Sequence, residues 1–221
     1  MIGHLRAGRL IPHGLHALAD RLRSGAARAR DPPGGPGPAG HSGGGHDPGS
    51  GPLPAHLPIT IDLWPRDEAT GCWADMTRTF VVGEVSAPVA TLRDTVRDAL
   101  EAARALIRPG VTGRDAYGVA AQIIEDAGHP TQRTAAPGEA LDHGFFFSLG
   151  HGVGLDVHEA PSVGRTGHAP FIAGDVVAIE PGIESIPGLG GVRYEDLLLV
   201  TEDGCETLTD FSYELQPWIT R

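Results

Sequence analysis

Asp62, Asp75, Glu180, Glu195, His151 and His158 are residues of the types that hold metal ions and move protons. The aspartates stand in IDLWPRDEATGCWADMTRTF, the glutamates in AIEPGIE and VRYEDLLLV, and the histidines in GHGVGLDVHE. The segments around the four acids read as apolar β-strands. A carboxylate inside a half-buried strand is costly unless something pairs with it.

Hairpin geometry makes these acids informative, because residues that face each other across a hairpin lie equally far from its turn. Asp62 and Asp75 are centred between Glu68 and Ala69, in the turn PRDEATG. Glu180 and Glu195 are centred between Pro187 and Gly188, in the turn formed by residues 186–189. The expectation is two facing carboxylate pairs, with Cβ atoms about 4.5–5.5 Å apart. Like charges so placed repel, which makes sense with a cation between them. Acids on strands more often sit on a solvated face, and spacing alone leaves both readings open. One His with four carboxylates would form a hard, oxygen-rich site that suits Mn or Fe, with Co and Zn as alternatives. The glycines on either side of His151 would allow close backbone approach to a ligand or ion. Seven positions separate His151 from His158, which puts them on opposite faces of a flat strand unless Gly152 and Gly154 break the alternation.

The elements that must position these residues begin near residue 56. LPITIDLW and CWADMTRTFVVG read as two strands around the first turn. Val89, Leu92, Val96, Leu100, Ala103 and Leu106 recur at helical spacing over residues 87–107, and Pro109-Gly110 ends that helix. Thr112 and Asp115 form a capping-box signature that opens a second helix running to about Ala127. FFFSLGHGVGLDVH, residues 145–158, is strand-like with glycine breaks. DVVAIEPGIES (175–185) and GGVRYEDLLLVTEDG (190–204) read as two more strands. Hairpin, two helices, irregular strand and hairpin together predict an α+β architecture.

Upstream the sequence is different. Residues 10–24 fit a short amphipathic helix. In residues 31–54, Gly and Pro fill 16 of 24 positions, so this stretch reads as a linker or irregular loop. The formal net charge of -11 argues against a general nucleic-acid binder. No run approaches the roughly 20 apolar residues of a membrane span, and no targeting signal is read in the Arg-rich start. Cys72 and Cys205 make no disulfide framework, so the default expectation is a reducing, cytoplasmic compartment.

Taken in order along the chain, IDLWPRDEATGCWADMTRTF, SLGHGVGLDVHEAP, AIEPGIE and VRYEDLLLVTEDG resemble the pita-bread metallopeptidases: methionine aminopeptidase, aminopeptidase P and prolidase. The resemblance covers about residues 40–217. The DLWPRDEATG form of the first loop is similar to the aminopeptidase P and Xaa-Pro dipeptidase branch. The resemblance implies a pita-bread fold, a curved antiparallel sheet with helices on its outer face. It also implies two divalent metal ions, with Mn2+ first and Co2+, Fe2+ or Zn2+ as alternatives. Asp62 would chelate one ion, Asp75 and Glu195 would bridge the two, and His151 and Glu180 would complete the ligand set of the second ion. The implied reaction is hydrolysis of Xaa-Pro bonds by a hydroxide shared between the metals, with Glu180 passing on its proton. His158 would contact the substrate carbonyl and the developing oxyanion. His46, in GHDPGSGP, would serve substrate binding, and Arg193 would support the bridging Glu195 beside it as well as serving substrate binding. The implied partner is a peptide with proline at its second position; a homodimer is compatible, and no nucleic acid or membrane is expected.

Two departures stand out. Relatives in this branch commonly carry a His four residues before the ligand His, where this sequence has Phe147; the nearest substitute is His143. Prolidase and aminopeptidase P also carry an extra N-terminal domain, which this sequence does not show. Residues 1–40 therefore read as a degraded or poorly structured segment, Gly/Pro-rich from 31, and residues 41–221 as the catalytic domain. The alternatives are a methionine aminopeptidase, opposed by the PRD-type loop and His46, and a truncated non-catalytic relative, opposed by the five retained ligand-type residues.

Overall fold

The computed structural model describes residues 28–29, 51–136 and 139–217. The expected helix over 10–24, most of the Gly/Pro-rich stretch, and His46 lie outside the described residues. A short pairing joins β1 (Arg28–Ala29) to β2 (Gly51–Pro52). The regular structure then runs β3 (Pro58–Leu63), β4 (Met76–Val81), α1 (Ala87–Leu106), α2 (Gly113–Asp126), β5 (Gly150–Gly152) and β6 (Glu159–Val163). It continues through β7 (Val176–Ile179), β8 (Gly182–Ile186), β9 (Gly190–Arg193), β10 (Asp196–Val200) and β11 (Cys205–Thr207).

The central layer is a five-stranded antiparallel sheet in the order β11-β10-β7-β5-β6. Strands β7 and β10 are buried on both faces, which accounts for the unbroken apolar runs VVAI and LLLV. Val177, Ile179, Leu198 and Val200 point to one side and join the core of α1 and α2. Val176, Ala178, Leu197 and Leu199 point to the other side and pack with Ile59, Met76 and Phe80 of the β3-β4 hairpin. The helices therefore cover one face, as the sequence pattern implies, and the hairpin carrying Asp62 covers the other.

Local chemistry explains the helices. In α1 the buried residues Val89, Leu92, Val96, Ala99, Leu100 and Ala103 form a single stripe. In α2 the Thr112 side chain accepts from the Asp115 backbone, and the Asp115 carboxylate accepts from the Thr112 backbone, completing the capping box. The helix stops at Asp126, and Gly128 follows at φ 88.

Three expectations needed correction. In the first hairpin Asp62 faces Thr77, not Asp75, and β4 begins at Met76 rather than Cys72. The register continues through the Arg66↔Trp73 bridge, so the turn is centred one residue later than PRDEATG suggests. Gly71, at φ 76, lets the loop close on Asp67, whose carboxylate also accepts from Thr70. Because the offset between partners is two residues, Asp75 stays on the same face as Asp62, as a diagonal rather than a direct neighbour. Second, residues 145–158 contribute only the three residues of β5 as strand. Third, the hairpin of segments 175–185 and 190–204 keeps one register but is interrupted. Each segment breaks at its glutamate, so that β7 and β10 belong to the central sheet while β8 and β9 form a separate ribbon. Pro181 offers no N–H to a ladder, which is consistent with a break at that position.

Replacing Thr112 with Ala removes the side-chain cap and leaves the Asp115 N–H only its 3.1 Å bond to the Thr112 carbonyl. Urea unfolding followed by far-UV circular dichroism is expected to show a loss of about 1 kcal/mol.

Candidate metal centre

The strand breaks bring the six chemistry-bearing residues together. The pairs Ile179↔Asp196 and Gly182↔Arg193 flank Glu180 and Glu195 in one continuous register, so these two glutamates stand opposite each other. Asp62 projects from β3 and Asp75 immediately precedes β4. His151 is the central residue of β5, paired with Ala178. His158 ends the loop before β6. Potential ligand atoms lie within 4.8 Å of one another in three overlapping groups: Asp62, Asp75 and Glu195; His151, Glu180 and Glu195; and Asp75, His151 and His158.

The histidines meet because the chain turns between them. Gly154 N–H donates to the Asp156 carbonyl, the Glu159 carboxylate accepts from Asp156 N–H, and the two imidazoles end edge to face with centroids 4.0 Å apart. The glycines beside His151 do allow close approach, but to neighbouring strands. A Cβ on Gly150 would sit 1.9 Å from the Ala178 carbonyl oxygen, and one on Gly152 would sit 2.2 Å from that of Ala160. His151 Nδ1 lies 3.0 Å from the Gly152 carbonyl. A carbonyl can only accept, so Nδ1 carries the hydrogen and Nε2 turns its lone pair to the carboxylates. From Nε2 it is 3.7 Å to Asp75, 3.7 Å to Glu180 and 3.9 Å to Glu195.

Arg193 places its Nη2 2.8 Å from Asp62 and its Nη1 3.6 Å from Glu180, and is only 6% exposed. Its guanidinium is thus directed at the acids from behind them. Phe147 packs on the far side of this group, 5.9 Å from guanidinium carbon to ring centre, and against Gly182. Thr77, not singled out by the sequence reading, donates to Glu195 Oε2 at 2.7 Å. Its position two residues after Asp75, on the same strand face, was the available signal. Glu184, 3.7 Å from Arg193 Nε, also escaped notice. His143 instead pairs with its neighbour Asp142 at 2.7 Å.

Crowding and burial dominate the electrostatics. Two carboxylates about 4 Å apart repel by about 4 kcal/mol at an effective dielectric constant of about 20. Glu180 is pushed up to about 8, by burial first; Arg193 opposes the shift, while Asp62 and Glu184 add to it. Asp75 is raised well above the carboxylate range by burial and then by Asp62 and Glu180. Glu195 is raised likewise by burial, Asp75 and Glu180. His151 is pushed down to about 4 by burial and by His158, so it is a neutral donor at physiological pH.

The donor set suits divalent cations. Asp75 Oδ1 and Glu195 Oε1 are buried and accept no hydrogen bond from the described residues, and hard oxygen donors with one imidazole match first-row divalent ions.

The family model for metallopeptidase family M24 matches residues 38–202. The chain belongs to this family. The M24 chain is 43% identical over 138 residues to an uncharacterized peptidase of Staphylococcus saprophyticus, a match that takes in 62% of this chain and 36% of that one. It is 37% identical over 142 residues to the Xaa-Pro dipeptidase of Pyrococcus furiosus, covering 64% of this chain and 37% of the relative. It therefore spans little more than a third of the length of these relatives. The prolidase structure from Pyrococcus furiosus superposes with a TM-score of 0.61 at 35% identity, over 70% of this chain and 42% of the prolidase. The M24 chain has the pita-bread fold of that structure, in its α+β form with helices on one face. Among the described residues no helix is long and apolar enough to cross a membrane.

Metal and protons compete for this site, and the sign of the pH effect follows. Without metal, Glu180 holds its proton up to about 8 when folded but ionises around its ordinary value of 4.5 when unfolded. Folding stability is then fullest below the unfolded value and is lost as pH rises through the folded one. The melting temperature of metal-free protein is expected to fall between pH 5 and 8, and saturating Mn2+ to abolish that fall. Calorimetric melts with and without metal measure both.

Proposed function

We propose that this M24 chain carries the catalytic centre of a dinuclear metallopeptidase that hydrolyses Xaa-Pro bonds. The observation that carries the reading is the convergence of four carboxylates and one neutral imidazole around a single buried space. Asp62, Asp75, Glu180 and Glu195 bring four negative charges, and the guanidinium of Arg193 offsets one. One divalent cation would leave a net negative charge, whereas two together with the hydroxide they share would bring the cluster to neutrality. In this reading Asp62 would hold one ion, His151 and Glu180 would hold the other, and Asp75 and Glu195 would serve both. Mn2+ is the proposed native metal, since the oxygen-rich set favours a hard ion. The proline preference rests on similarity to the Xaa-Pro dipeptidase and on the long loop between the aspartates.

Bound there, two divalent ions would acidify a shared water and polarise the scissile carbonyl. The chain's own residues supply the remaining steps. Glu180 has an exposed edge toward the site and a proton affinity raised toward neutrality, which suits a group that accepts a proton from the attacking water and passes it to the leaving nitrogen. His158 is exposed beside His151 and can donate to the carbonyl oxygen as negative charge develops there. Arg193, buried against Asp62, would orient that carboxylate from behind it. His46 remains a proposed substrate-binding residue on the sequence resemblance alone.

The reading is tested with purified, Mn2+-loaded protein on a peptide panel. Ala-Pro peptides are expected to be cleaved and Met-Ala peptides spared; the reverse would make it a methionine aminopeptidase, and no cleavage of either would remove the enzymatic reading. Asp75→Asn is expected to cut metal content below two ions per chain, measured by elemental analysis, and to abolish turnover. His158→Ala is expected to keep its metal while kcat falls by roughly 10²–10³-fold, the usual loss of one oxyanion donor.

A further inference from the structure

Arg78 is 1% exposed, and every one of its N–H groups is used. Nε and Nη2 donate to the Phe211 carbonyl at 3.3 and 3.0 Å, Nη2 donates to Asp196 Oδ1 at 2.8 Å, and Nη1 donates to the carbonyls of Thr77 at 2.9 Å and Glu195 at 2.7 Å. A guanidinium has five such donors in a rigid plane. Its counter-ion Asp196 is fully buried and is satisfied in turn by Thr209 Oγ1 at 3.0 Å and by the Tyr213 hydroxyl. The Tyr213 ring lies under Arg78 with 4.5 Å from guanidinium carbon to ring centre. A buried ion pair of this kind is weak evidence for stability, because apolar residues can often replace it without loss. What distinguishes it is where it attaches. The single nitrogen Nη1 ties the backbone of β4 just after Asp75 to the backbone of Glu195. Thr77, whose carbonyl it holds, also donates its hydroxyl to the Glu195 carboxylate.

We propose that Arg78, braced by Asp196, Thr209 and Tyr213, is the positioning device that sets the distance between the Asp75 and Glu195 carboxylates, and hence the affinity for the second metal ion. The inference rests on the reading that these two carboxylates are shared between two ions. It extends the functional unit past the residues matched by the family model, which end at 202, since Thr209, Phe211 and Tyr213 all lie beyond them. The C-terminal segment is attached to the same strand a second time: Val81 N–H donates to the Leu215 carbonyl at 2.9 Å, and Gln216 donates to the Val81 carbonyl at 3.1 Å.

The test titrates Co2+ into the purified chain by calorimetry and follows its visible ligand-field absorption, at a temperature well below the melting point of every variant. Thr209→Val removes the hydroxyl with little change of shape, Thr209→Ser keeps it, and Tyr213→Phe keeps the ring under Arg78 should Thr209→Val fail to fold. Wild type and Thr209→Ser are expected to bind two ions. Thr209→Val and Tyr213→Phe are expected to bind the second ion about tenfold or more weakly, with an altered absorption spectrum, in the range typical for residues that orient metal ligands. Folded Thr209→Val or Tyr213→Phe protein that binds both ions with wild-type affinity and spectrum would overturn the proposal and leave the network a purely structural role. Wild-type protein that binds fewer than two ions would overturn the dinuclear reading and this inference with it, a result that does not depend on the variants.

Discussion

Asp62, Asp75, Glu180 and Glu195 crowd into one small space that water barely reaches, with the guanidinium of Arg193 beside them. Such a cluster holds protons, cations or both, because burial and mutual repulsion together forbid four free charges. The elevated proton affinities of Glu180, Asp75 and Glu195 are the signature of that constraint in the chain by itself. The depressed basicity of His151 is its complement, since the same burial that makes carboxylates hold protons makes an imidazole release one.

A cluster of this kind needs a rigid frame, and the sheet supplies one by being covered on both faces. The helices pack on one side and the β3-β4 hairpin on the other, so the acids are delivered into the same space from the hairpin and from the sheet it covers. Strands are interrupted where the glutamates sit. Glu180 and Glu195 occupy the junction between the central sheet and the β8-β9 ribbon, where the ladder opens and side chains can turn inward. Behind them, hydrogen-bonded groups fix the orientation of the acids: Arg193 on Asp62, Thr77 on Glu195, and Arg78 on the backbone of both flanking strands.

Membership of the M24 family ties this frame to peptide hydrolysis in relatives, while particular residues give this chain its own character. Phe147 stacks its ring against Gly182 and the back of Arg193. An apolar ring cannot hydrogen-bond to substrate, and here it packs against the protein's own Arg193 and Gly182. Residues 205–216 matter as much as the matched region, because they brace Asp196 and Arg78 from beyond it.

The local rules were readable directly. The apolar stripe of α1, the capping box of α2 and the doubly buried runs of β7 and β10 follow from periodicity and side-chain chemistry over a few residues. The opposition of Glu180 and Glu195 was readable too, because their register is set by one short turn. The pairing of Asp62 was not, since a single left-handed glycine at position 71 moved the turn centre and shifted the partner by two residues. Which groups Arg78 and Arg193 would serve was invisible, as their partners lie more than a hundred residues away. The sequence by itself determined the elements and the inventory of ligand-type residues, because those depend on near neighbours. Only the tertiary structure decided that six residues spread over 134 positions share one space, because that depends on how two layers close over a sheet whose strands break at the acids.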